Sequence, residues 1–187
     1  LYQISIGIDI LHYNKIIHRD IKPETILITE DGQVKIGDFG LAIHCEESNI
    51  SCGVEYFAAP ELLNNSIYDH KVDIYSFGVL VYFLISNRYY EADGNQAKNF
   101  MNVFLLNTSL DIKILLWRCL EYNPKDRMDS RELKEFMTVI RNKQFNMELR
   151  ILYTIDIIDG ILYFLSNHSV GLLLGDGASI VFHPFSN

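Results

Sequence analysis

Apolar residues near the start of the chain recur at Ile4, Ile8 and Leu11, a helical spacing that predicts one amphipathic helix from Ile4 to Tyr13. Ile16 and Ile17 then lead into His18-Arg19-Asp20, so that helix delivers a polar loop. Two short apolar runs, Ile26 to Ile28 and Val34 to Ile36, flank Glu30-Asp31-Gly32 and predict a hairpin beside the loop. Asp38-Phe39-Gly40 follows at once. Residues 44–59 have no period and hold Ser48, Asn49, Ser51 and Gly53, the composition of a long surface loop. Pro60 permits a fresh helical start, and Asp73 stands where an N-cap is expected. Ile74 to Ile85 is apolar on nearly every side, which predicts a central, fully buried helix. A polar stretch from Ser86 to Asn99 precedes two further amphipathic helices, Leu110 to Glu121 and Ser130 to Ile140.

Past Arg141 the period changes from helical to two. Ile151, Tyr153, Ile155 and Ile157 alternate with other residues. Ile161 to Leu165, Val170 to Leu174 and Ser179 to Phe182 are parted by Ser-Asn-His and Gly-Asp-Gly, which predicts a small antiparallel meander. The expected organisation is a main domain over 1–141, a linker over 142–150 and a β module over 151–187. The chain starts at Leu1 without a Met and ends soon after a strand-like run, so a piece of a longer protein is expected.

At 49% hydrophobic residues the 187-residue chain can bury one sizeable core. Its net charge of −8 offers no broad phosphate-binding face, so no nucleic-acid partner is expected. Cys45, Cys52 and Cys119 have neither paired spacing nor an even count, which points to reduced thiols of an intracellular protein and not to a zinc site or disulfide framework. The apolar run Ile74 to Ile85 is far shorter than the roughly 20 residues that cross a bilayer, so no membrane partner is expected.

The order Ile17-His18-Arg19-Asp20-Ile21-Lys22-Pro23-Glu24, then Lys35-Ile36-Gly37-Asp38-Phe39-Gly40, then Ala59-Pro60-Glu61, resembles the catalytic half of the eukaryotic protein kinases over about residues 1–140. Asp73-Ile74-Tyr75-Ser76-Phe77-Gly78 and Arg127 extend the likeness. The resemblance implies an α+β protein, mainly the helical C-terminal lobe of the kinase fold, that uses ATP and Mg²⁺ on protein substrates. By it Asp20 orients the acceptor hydroxyl and takes its proton, Lys22 supports the γ-phosphate charge, Asp38 ligates Mg²⁺, and Leu27 packs under the adenine ring. A Lys two residues after the Asp resembles the serine/threonine branch. His18 and Phe39 would stack, Asp73 would tie the catalytic loop to the buried helix, and Glu61 would pair with Arg127.

Three positions depart from the family pattern. Thr25 stands where an Asn is the second magnesium ligand, so it either reaches the metal as a weaker ligand or only hydrogen-bonds the loop backbone. Val54 stands where a Thr hydroxyl bonds the catalytic Asp and Lys. Arg19 would ordinarily receive a phosphate from the activation loop, yet the position two before Cys52 is Ile50, leaving Ser48 and Ser51 as candidate phosphosites against a plain solvated loop. No Gly-rich loop, strand Lys or helix Glu precedes His18, so these residues alone are not expected to enclose ATP.

The run Tyr163 to Gly177 resembles the opening of a polo box, and Val34 to Ala42 suits the polo-like kinases. That likeness implies a partial β module, binding of phosphorylated partner proteins, and a cytoplasmic or nuclear site at spindle or centrosome; its first strand has no Trp, the single one being Trp117. The expected function is a polo-like serine/threonine kinase. Its alternatives are a catalytically impaired pseudokinase or scaffold, and, more remotely, a small-molecule kinase of the same fold.

Overall fold

The structure, a computed structural model, describes residues 1–50, 56–64, 66–91, 103 and 106–148, with side chains through residue 143, and four strands beyond them. Its contacts divide it into two units, Leu1–Thr138 and Val139–Asn187.

In the first unit α1 (Tyr2–Tyr13) buries Ile4 and Ile8, the helical repeat read from sequence. It delivers β1 (Ile16–Ile17) and the polar loop. A 3₁₀ turn, Pro23–Thr25, leads into β2 (Ile26–Ile28), which pairs antiparallel with β3 (Val34–Ile36), Leu27 opposite Lys35. The turn between them uses Gly32 at φ 77°, a conformation glycine adopts without a Cβ clash. The next stretch is not the plain loop expected. β4 (Ile43–His44) pairs back on β1, and β5 (Glu47–Ser48) pairs with β6 (Tyr68–Asp69). Ladders of two residues are too short to leave a period in sequence.

After α2 (Pro60–Leu63) comes α3 (Lys71–Ser86), buried without interruption from Val72 to Val81. Two expectations change here. Asp73 is not the cap: the helix starts two residues earlier, and the carboxylate leaves the first turn for the catalytic loop. Burial also stops before Ile85, for Leu84 is 58% exposed. α4 (Leu110–Cys119) is capped by Ser109, which accepts the Ile112 N–H. It approaches α3 closely at Gly78, where a Cβ would stand 2.7 Å from the Cys119 Cβ.

α5 (Ser130–Glu148) starts in a reciprocal cap: Asp129 accepts from the Glu132 N–H at 2.8 Å, and Glu132 from the Asp129 N–H at 2.9 Å. Leu133, Met137 and Ile140 are buried along one face, and Lys134 pairs with Asp9 of α1. The helix overruns its expected end at Ile140 and takes up most of the expected linker, because Arg141 to Glu148 holds no Gly or Pro to stop it. Among the described residues no helix is long and apolar enough to cross a membrane.

The second unit holds β7 (Tyr153–Ile157), β8 (Gly160–Phe164), β9 (Val170–Leu174) and β10 (Ser179–Phe182), an antiparallel meander in sequential order. Its registers put Ile155 opposite Leu162, and Leu172 opposite Ile180. The fold is therefore mixed, helical with small antiparallel sheets.

Candidate active site

The polar loop after β1 is built around a buried carboxylate. Asp73 Oδ2 accepts the His18 N–H at 2.8 Å, and Oδ1 accepts the Arg19 N–H at 2.8 Å. His12 Nε2 sits 2.9 Å from Oδ2. These bonds hold Arg19 at φ 65°, a left-handed conformation of the kind that collects at functional sites and costs about 1–3 kcal/mol. Beneath the loop Glu61 and Arg127 pair at 2.6 Å, as expected.

Asp20, 8% exposed, receives Lys22 Nζ at 2.7 Å, so an anionic and a cationic group of the loop meet directly. Thr25 is turned inward, 1% exposed. Its hydroxyl accepts the Lys22 N–H at 3.2 Å and donates to the Asp20 carbonyl at 2.8 Å, with the Lys22 carbonyl at 3.1 Å. It bonds the loop backbone, the second of the two roles open to it.

Gly37 fastens the next segment to this loop. Its N–H donates to the Thr25 carbonyl at 2.8 Å, and its carbonyl lies 3.0 Å from His18 Nε2. The Asp20 N–H donates to His18 Nδ1 at 3.3 Å, so a tautomer with its proton on Nε2 satisfies both contacts. The His18 and Phe39 rings meet edge-on at 5.1 Å, the expected contact. Asp38 follows at φ 57° and is exposed. Its Oδ1 accepts the Gly40 N–H at 3.2 Å, and its other oxygen has no partner among the described residues. Leu27, 53% exposed, lies against Gly37, where a Cβ would come within 2.8 Å of its Cδ1.

An exposed carboxylate with a free oxygen is a hard ligand of the kind Mg²⁺ takes, so Asp38 fits that ion, while the Thr25 hydroxyl is already engaged with the loop backbone. Among the described residues no three His, Cys, Asp or Glu side chains form a metal cage. Mg²⁺ bound through one or two carboxylates and substrate phosphates needs none.

Arg19 turns away from Asp20 toward Leu41, Ile50 and Tyr68. Ser51, Cys52 and Val54 lie outside the described residues; Ser48 lies on β5. Sequence reasoning passed over His12 and Tyr68. His12 carried a signal, a polar residue four after Ile8 on the inward face of α1, whereas Tyr68 carried none.

The protein kinase domain family matches residues 1–140. The chain belongs to that family. Relatives include an Aurora kinase of Saccharomyces cerevisiae, 34% identical over 154 residues that cover 78% of this chain and 42% of that protein. Aurora kinase A-B of Xenopus laevis is 33% identical over 142 residues, 71% of this chain and 35% of its own. A protein of Trypanosoma brucei brucei provisionally named serine/threonine-protein kinase A is 35% identical over 146 residues, 70% and 33%. The chain spans less than half the length of these kinases. The polo-like subfamily finds no support among them. The family match ends at residue 140, before the strands read as a polo box, and nothing in the comparisons supports that reading either. Protein kinases in general use ATP and Mg²⁺ and act on proteins.

Proposed function

We propose that the intact protein transfers the γ-phosphoryl group of ATP to serine or threonine hydroxyls of protein substrates, as an Aurora-like and not a polo-like kinase. The observation that carries this reading is the Asp20–Lys22 contact at 2.7 Å, on a loop whose two preceding amides both end on Asp73. Asp20 is placed to orient an acceptor hydroxyl and take its proton, and Lys22 to offset charge on the transferred group. Asp38 would hold Mg²⁺, and Leu27, exposed at the hairpin, would underlie the adenine. Bound Mg²⁺ supplies charge neutralisation across the phosphate oxygens. Lys22 and the names of the relatives support the serine/threonine branch.

Phosphorylation of a generic protein substrate by the intact protein is the test. Asp20→Asn is expected to lower kcat by at least about 100-fold. A rate unchanged by that substitution overturns the mechanism. One observation favours a second reading, an impaired kinase acting as a scaffold: Thr25, where the family has an amide ligand, has its hydroxyl engaged by the Asp20 carbonyl and the Lys22 N–H. Under it the intact protein binds partners and shows no transfer that depends on Asp20.

A further inference from the structure

Arg19 is 7% exposed, yet no carboxylate pairs with its guanidinium among the described residues. Neutral oxygens meet its charge instead. Nε donates to the Leu41 carbonyl at 2.7 Å, and Nη1 to the Tyr68 hydroxyl at 2.9 Å and, more distantly, to the Ile50 carbonyl at 3.4 Å. Tyr68, 3% exposed, passes the contact on, because its hydroxyl donates to the Ile50 carbonyl at 2.6 Å. A phenol can do both at once, accepting with a lone pair and donating its single hydrogen.

The same tyrosine belongs to β6, where it stands opposite Ser48 of β5. The Ile50 N–H donates to the Ser48 hydroxyl oxygen at 3.2 Å, so Ile50 is held at its amide and at its carbonyl. The Ile50 side chain itself has no oxygen that could carry a phosphate.

We propose that Tyr68 is a positioning residue: with Arg19 it fixes the segment Ile43 to Ile50 through a main-chain carbonyl, and this anchoring needs no phosphate on the segment. Its consequence for catalysis rests on the phosphotransfer reading above, whereas the anchoring itself does not.

The test takes the intact protein, wild type and Tyr68→Phe, with and without phosphatase treatment. It measures hydrogen–deuterium exchange over residues 43–50 together with kcat and KM for ATP. Tyr68→Phe is expected to speed exchange there about tenfold, the weight of roughly one buried hydrogen bond, and to lower kcat with KM for ATP unchanged. Phosphatase treatment is expected to leave both exchange and rate within about twofold. Exchange that rises on phosphatase treatment places a phosphate on Arg19 and overturns the proposal, as does unchanged exchange in Tyr68→Phe. If circular dichroism shows that Tyr68→Phe does not fold, the phosphatase arm still decides. Expected exchange without any phosphotransfer sinks the kinase reading and sustains the anchor.

Discussion

Arg127 is 1% exposed, and Glu61 binds it through both oxygens, at 2.6 and 3.2 Å. Carbonyls of Lys71, Glu121 and Tyr122 take further N–H groups, and the Tyr75 ring lies 4.9 Å from its carbon centre. Burial also pushes the Tyr75 hydroxyl well above its usual range, so that ring stays neutral beside the pair. A buried pair adds little net stability, but removing one partner strands the other charge. Glu61→Ala is expected to cost about 3–5 kcal/mol in urea unfolding of the intact protein. A loss under about 1 kcal/mol would mean that the carbonyls alone satisfy the guanidinium. Thr25 allows a sharper test. Thr25→Val keeps the shape and removes the hydroxyl that ties the Lys22 N–H to the Asp20 carbonyl. It is expected to lower kcat several-fold with an unchanged half-saturation for Mg²⁺. A raised Mg²⁺ requirement would make Thr25 a ligand.

The start of α5 shows how an element can be fixed by a few polar atoms. The Asp129 N–H is the main cause that holds the Glu132 carboxyl below its usual 4.5, helped by Arg118, while desolvation opposes it. A carboxylate with a depressed folded value contributes stability above the unfolded value and loses it as pH falls through the folded one. Stability of the intact protein should therefore drop below about pH 4.5, and Glu132→Ala should cost about 1 kcal/mol near neutrality and flatten that acid limb. An acid limb of unchanged steepness in Glu132→Ala would refute it. The Asp-Gly turn between β2 and β3 was read from sequence because it is local chemistry, whereas the equally local cap formed by Asp129 and Glu132 was passed over. Asp20, Lys22 and Asp38 were singled out as candidates through ordered family residues. From its own spacing Asp73 was not readable as more than a cap, and only the family pattern tied it to the catalytic loop, since its partners, His12, His18 and Arg19, lie more than fifty residues away in sequence. Nor were β4, β5 and β6, which owe their existence to tertiary partners and not to a period of their own.

For the whole chain, the family match and the division into units nearly coincide, at residues 140 and 138, while α5 runs on to Glu148. Among the described residues the apolar side chains that α5 buries, Leu133, Met137 and Ile140, all precede Arg141, and every side chain placed at the candidate site precedes Ser130. Ending the intact protein after Glu148 is thus expected to leave its unfolding midpoint within about 2 °C and any phosphotransfer within about twofold. Ending it after Arg131 removes three buried apolar side chains, each worth about 2–5 kcal/mol, together with the Lys134–Asp9 pair, and should unfold a domain whose whole margin is about 5–15 kcal/mol. Thermal unfolding followed by circular dichroism compares the two truncations directly. A tenfold loss of transfer in the longer one, with its midpoint unchanged, would instead make the β unit a contributor to catalysis, because stability would then be excluded as the cause.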